Sequence, residues 1–408
     1  MGWFPPPPAR SAVKGGIVMS PIIGRRAFNA GIAATAGLGL AGRAPSALAQ
    51  AAYRGPNVVL VRFGGGVRRR ETIDPDHTYA PFLAHTLAAR GTLFRDMRIQ
   101  SLEDIVTSHG QGTLYTLTGR YDRYEDIAGA AFKERYEPGA PTLFEYLRRA
   151  WNVPAHRTLL INGEDRTDEE FFTFSNHHLF GIAYRSQVLS LYRFKTHLLR
   201  RQVARTPPDD PGFAKLSEEL SKLESLDYRQ TAGQPQSPEI EAYWDRWQRF
   251  YGESGFVNPR GDTLLTELAV RAIRELRPKL MMINYQDPDY VHWGVASHYT
   301  RGISIIDQGL QRLVAAIEAD PEYRDNTVFV IVPDCGRDDN RLMAVPFQHH
   351  FNSRAAHEIW ALMFGPGIAR GDVVDRPVDQ ISVAATIGRV MGFDTEFAEG
   401  PILAEAFA

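Results

Sequence analysis

Leu280-Met281-Met282-Ile283-Asn284 and Thr327-Val328-Phe329-Val330-Ile331-Val332 are two short, unbroken apolar runs, and each follows a stretch of helical spacing. Strands covered on both faces read this way, as continuous runs and not as alternations. Between them Ile303, Ile306, Leu310, Leu313 and Ile317 recur every three or four residues, which predicts a helix over Tyr299 to Ala319 with one apolar face on a sheet. A preceding helix over Thr263 to Leu276 is stopped by Pro278. Helix, strand, helix, strand predicts an α/β fold: a three-layer sandwich with a mostly parallel central sheet.

The same pattern extends in both directions. Asn57-Val58-Val59-Leu60-Val61 is a β-branched run that ends in Gly64-Gly65-Gly66, a first central strand feeding a tight turn. Phe82, Leu83, Leu87 and Ala88 predict a helix over Thr78 to Arg90, with Gly91 as its C-cap. Thr142 followed by Glu145 is a capping box. Thr158 to Ile161 and Trp360 to Phe364 read as strands, and Val378 to Met391 as the last helix. From about Leu189 to Gly261 charges crowd together around Pro207-Pro208 and Gly233-Gln234-Pro235, which predicts a helical insertion. The sequence shows no internal repeat. Leu60, Ile283 and Ile331 are expected on neighbouring strands.

The 408 residues carry 46 Lys and Arg against 48 Asp and Glu, and are 44% hydrophobic with 35 Gly and 26 Pro. This is an ordinary globular composition, neither disordered nor a small stapled scaffold. A net charge of −2 provides no field for nucleic acid or anionic lipid. The single cysteine, Cys335, excludes an intrachain disulfide and any cysteine-based metal cluster.

Residues 1–49 read as a twin-arginine signal peptide: Arg25-Arg26 and Phe28, a weakly apolar run from Ala30 to Gly42, then Ala47-Leu48-Ala49 as a cleavage site. The apolar run is too short to span a bilayer. Met19 makes a better start than Met1, because the tract with Pro5 to Pro8 lengthens the leader. Cleavage removes five basic residues and no acid, leaving 41 basic against 48 acidic residues over 50–408. The expected product is a mildly acidic bacterial protein, periplasmic or secreted, with the export machinery as a partner and no membrane span.

In an open parallel sheet, ligands sit at the carboxyl ends of strands. Polar residues cluster there: Asp287, Asp289 and His292 after one strand, Asp334 and Cys335 after another, and His357 just before the strand at Trp360. One such residue alone is ordinarily a turn cap or a surface histidine. Carboxylates and imidazoles converging from several strands suit a divalent metal such as zinc.

The order of these segments resembles the alkaline phosphatase and sulfatase superfamily over nearly the whole chain after the leader. Thr107-Ser108-His109-Gly110-Gln111-Gly112-Thr113 leading to Leu117-Thr118-Gly119-Arg120-Tyr121 is similar to its nucleophile segment. Asp289 to His292 with Gly294, Val330 to Gly336, and His357 with Phe364-Gly365-Pro366-Gly367 resemble its metal-binding strand ends. The resemblance implies a metal-dependent hydrolase or transferase acting on a small anionic phosphate or sulfate ester. It also implies a metal held by Asp289 (or Asp287), His292 and His357, with Asp334 and Cys335 at a second position.

The chain departs from that pattern in places. Glycines replace the aspartate expected after the first strand, and Cys335 replaces a histidine, so one ion is expected in place of two, or none. Cys335 is either a thiolate ligand or a small buried apolar residue. For the nucleophile, Thr107 and Ser108 provide hydroxyls, while counting back from Thr118-Gly119 lands on His109. Ser108 reads equally well as a helix N-cap. No formylglycine-type sequence is present, which argues against a sulfatase mechanism. His349, His350 and Glu71 are possible substitute ligands, and Arg68, Arg69 and Arg70 form either an anion grip or a solvated turn. Alternatively, the chain is a catalytically degenerate binding protein on the same fold.

Overall fold

β1 (Asn57–Phe63) is buried along its whole length, and its side chains alternate between two cores. Val58 and Leu60 enter one; Val59, Val61 and Phe63 enter the other. Such a strand must be covered on both faces. The computed structural model describes residues 52–100, 105–122, 124, 137–163, 169–226, 236–252, 261–293, 295–339, 347–349 and 353–408. Residues 1–49, expected to be a leader, together with Gly294 and His350, lie outside these.

After β1 come α1 (Arg69–Thr72), β2 (Gly91–Arg98), α2 (His109–Thr118), α3 (Leu143–Trp151), β3 (Thr158–Asn162), α4 (Glu169–Thr173) and β4 (Gln187–Leu189). Then follow α5 (Leu191–Arg205), α6 (Phe213–Glu224), α7 (Pro238–Tyr251), α8 (Asp262–Glu275), β5 (Leu280–Tyr285), α9 (Ala296–Glu318) and β6 (Thr327–Val332). The chain closes with α10 (Arg354–His357), β7 (Glu358–Phe364), β8 (Asp372–Val374), β9 (Val378–Asp379) and α11 (Ser382–Met391).

The sheet runs in the order β4-β3-β5-β1-β6-β7-β2-β8, with β9 also on β2. β4, β3, β5, β1 and β6 are mutually parallel, and β7 alone runs against its neighbours. Val61 pairs with Ile283 on one side and Ile331 on the other, so the three segments expected to be neighbours are. One face carries α5, α7, α8 and α9; the other carries α2, α3, α4 and α11. This is the three-layer sandwich.

Some expected elements differ in detail. The segment expected to be a helix over Thr78 to Arg90 begins at Phe82 as one wide turn to Leu87 and tightens over Ala88–Arg90. Asp307 of α9 accepts the amides of Phe82 and Leu83, which starts that turn where it does. Gly91 is not a left-handed cap. It opens β2, where a Cβ would lie 1.9 Å from the Met363 carbonyl oxygen. The last helix starts at Ser382, because Val378 and Asp379 first pair with Met97 and Arg98. In the expected insertion, Phe194 and Leu198 of α5 and Ile240, Tyr243, Trp244 and Trp247 of α7 join the core on the sheet, whereas α6 has no buried residue.

These burial differences predict the outcome of truncation. Trp244→Ala should cost about 3–5 kcal/mol of unfolding free energy, and Leu216→Ala on α6 less than about 1 kcal/mol, measured by denaturant unfolding. Equal losses would show that α6 is packed as tightly as α7.

Candidate functional site

The parallel strands β1, β5 and β6 end at one edge, and the N-terminus of α2 is brought to it. Gly112 makes this approach possible, since a Cβ there would lie 2.0 Å from the Asp334 carbonyl oxygen. The turn after β1 has no side chains. Gly66 has φ +66°, and a Cβ on it would meet the Gly336 carbonyl at 2.9 Å, Cys335 Sγ at 3.3 Å and the His349 ring at 3.3 Å. The glycines that remove the expected aspartate therefore make room for Cys335 and His349.

Asp289 lies after β5, in the tight turn Asp287–Tyr290 that brings it to His292. Three imidazoles point their Nε2 atoms at one oxygen, Asp289 Oδ1: His109 at 2.8 Å, His292 at 3.1 Å and His349 at 3.1 Å. His349 is fully buried, while His109, His292 and Asp289 are 15%, 23% and 25% exposed, so the group is open on one side.

A neutral imidazole has one N–H. His109 faces carboxylates at both nitrogens, with Asp334 Oδ2 2.5 Å from Nδ1. His349 faces the Thr107 carbonyl at Nδ1, 3.2 Å away, and Asp289 at Nε2. Each needs either a second proton or a cation at its Nε2. Asp289, His292 and His349 present ligand atoms within 4.8 Å of one another, as do His109, Cys335 and His349. Two imidazoles and a carboxylate, open on one side, fit a divalent metal.

Asp334 is engaged differently. Its Oδ2 faces His109 and lies 3.5 Å from the Arg62 guanidinium; its Oδ1 accepts the amides of Cys335 and Gly66. Arg62 is buried in β1 and also donates to Thr113 Oγ1 at 2.8 Å. Arg337, fully buried, donates to the carbonyls of Gly65, Gly66, Pro288, Val291 and Phe347 and lies 3.8 Å from Asp289. It thus ties together the three segments that surround the site. Arg62 is not among the residues expected at the site, although an Arg inside the apolar run of β1 is a signal, whereas Arg337 belongs to the polar cluster Asp334 to Asp338 at its strand end.

These contacts set the charge states. Burial alone would lower the His109 pKa, but the adjacent Asp289 and Asp334 charges raise it well above the usual value. Burial would raise Asp334, but His109 and Arg62 hold it far below the carboxylate range. Asp289 is likewise held low against its burial, chiefly by His109. Burial pushes the Cys335 thiol up to about 11.

The other expected residues are placed as follows. Thr107 is buried and its hydroxyl donates to the His349 carbonyl. Ser108 is the N-cap of α2, its Oγ accepting the Gln111 amide at 3.4 Å. Asp287 accepts the Asp262 amide at 3.1 Å, at the start of α8, and belongs to neither ligand group. His357 is buried and its Nδ1 donates to the Ile99 carbonyl at 2.9 Å; among the described residues it too belongs to neither group. Arg68 pairs with Glu71 and Arg69 with Asp96, beside a cleft of about 990 Å³. Of the three, Arg70 is exposed, and Arg68 and Arg69 are partly exposed.

No family model and no curated protein matches the chain. Solved structures do. A quadruple mutant of the alkaline phosphatase PafA superposes with a TM-score of 0.56 at 11% identity, covering 88% of this chain and 100% of that one. Wild-type PafA gives 0.52 at 10% identity with the same coverage. The chain has the alkaline phosphatase fold. A 2-O GAG sulfatase, BT1596, gives 0.49 at 12% identity, covering 87% of this chain and 74% of that one. Within the alkaline phosphatase fold, the cluster described above occupies the edge where the parallel strands end. Among the described residues no helix is long and apolar enough to cross a membrane.

The shifted groups predict how stability depends on pH in chelator-treated protein. His109, with a raised value, stabilises the fold fully below the ordinary histidine range near about 6.5, and loses this as pH rises through its folded value. Asp289 and Asp334, with lowered values, stabilise it above about 4 and lose this as pH falls through theirs. Unfolding midpoints should therefore be highest between these limits, and His109→Gln should flatten the alkaline decline. An unchanged alkaline decline in that variant would remove His109 as its source.

Proposed function

We propose that the chain is a single-metal hydrolase or transferase acting on a phosphate or related (sulfate) ester, exported by the twin-arginine route to the periplasm or beyond. The observation that carries this reading is the convergence of three imidazole Nε2 atoms on Asp289 Oδ1. Asp289, His292 and His349 would hold the ion, with zinc favoured by the nitrogen-rich set. When bound, such an ion polarises an ester oxygen.

The remaining roles follow from the chain's own contacts. His109, charged and standing at the first turn of α2, suits an anionic ester and can supply a proton to a leaving oxygen. Both of its nitrogens are held by carboxylates, which favours proton transfer over attack. With the Thr107 hydroxyl committed to the His349 carbonyl, Ser108 is the hydroxyl assigned to attack. A second reading, a catalytically degenerate binding protein, is favoured by the neutralisation of Asp334 by Arg62 and His109.

Metal analysis and turnover separate the two. The purified chain should contain about one zinc and hydrolyse aryl phosphates, phosphodiesters or aryl sulfates. His292→Ala combined with His349→Ala should lose the zinc and lower kcat/KM by more than the ~100-fold typical of residues that merely support ligands. Protein without metal and without turnover on all three substrate types would establish the binding reading instead. For export, replacing Arg25 and Arg26 by Lys should retain the protein in the cytoplasm on cell fractionation; undiminished export would refute the twin-arginine route.

A further inference from the structure

A buried carboxylate, a partly exposed one and two buried guanidinium groups meet at the strand ends. Asp334 lies with Arg62, and Asp289 with Arg337. The formal charges of these four groups cancel before any metal is added, and the His109 imidazole lies between the two carboxylates. Arg337 occupies the space beside the glycine turn, where it satisfies the carbonyls of Gly65 and Gly66. Asp334 is enclosed by groups of the chain: His109 Nδ1 and the Arg62 guanidinium face its Oδ2, and the amides of Cys335 and Gly66 donate to its Oδ1. Bringing a second divalent cation there would require displacing a buried arginine or leaving like charges together at low dielectric.

We propose that the guanidinium groups of Arg62 and Arg337 do the electrostatic work of a second metal ion in this chain, so that the site takes up one divalent cation and no more. This rests on the single-metal reading above. Arg62 neutralises Asp334, which would otherwise be a ligand. Arg337 holds the turns carrying Asp289, His292 and His349 in place, a task that a bridging ion would otherwise perform. Because Arg cannot lose its proton, this arrangement is permanent, unlike a metal that exchanges.

The test is zinc titration of chelator-stripped full-length protein, counting bound ions by elemental mass spectrometry and measuring affinity by calorimetry. Wild type and Arg62→Lys, which keeps the charge, are expected to bind one ion. Arg62→Gln combined with Cys335→His, which removes the guanidinium beside Asp334 and adds an imidazole, is expected to bind two. Arg337→Gln is expected to bind the first ion about tenfold more weakly, in the range seen when ligand-supporting residues are removed. Two ions in wild type, one ion in a folded Arg62→Gln, Cys335→His variant, or undiminished affinity in Arg337→Gln would each overturn the proposal. If the double variant fails to fold, the wild-type and Arg62→Lys counts decide. No zinc in wild type would overturn the single-metal reading itself, and this proposal with it.

Discussion

His109 bridges the ends of two strands. β5 and β6 lie on either side of β1, so their carboxyl ends bring Asp289 and Asp334 toward the same place, where two partly desolvated negative charges repel. The imidazole at the first turn of α2 touches both, and a cation at a helix N-terminus is otherwise an unfavourable choice. Two short charge-assisted contacts outweigh that. The placement of α2, and hence of Thr107 and Ser108 before it, depends on this bridge together with the bare backbone of Gly112.

The central fold was readable because its physics is local. β1, β5 and β6 are covered on both faces and so appear as unbroken apolar runs, and α8 and α9 are amphipathic over several turns. β2 was not foreseen, because Arg95, Asp96 and Arg98 interrupt it and its pairing with β7 shifts register between Phe94 and Met97. The helix expected from Val378 likewise ignored β9, which exists only because β2 is available to pair with it.

The site was readable in part. Asp289 and His292 follow a strand, and strand ends are where ligands gather. Which residue of a tight turn faces inward is not encoded by spacing alone: Asp287 and Asp289 are two apart, yet one serves α8 and the other meets the histidines. His349 lies in a stretch without periodicity, so the sequence offers it only as one of several possible substitute ligands, beside His350 and Glu71. Arg62 and Arg337 act through burial, which is a tertiary property of segments far apart in the chain.

β1 lies in the middle of the sheet, yet its partners are distant along the chain: Asn57 meets Thr327 across 270 positions. Contacts of such separation close large loops, and topologies rich in them fold slowly. Every nascent chain that stops short of β6 leaves one side of β1 uncovered, and stops before His349 can join His109 and Asp289. The site is thus a property of the finished polypeptide. Forms that end before His349 lack one of the proposed ligands, and those that end before β6 expose a flank of β1 that would make them prone to aggregate.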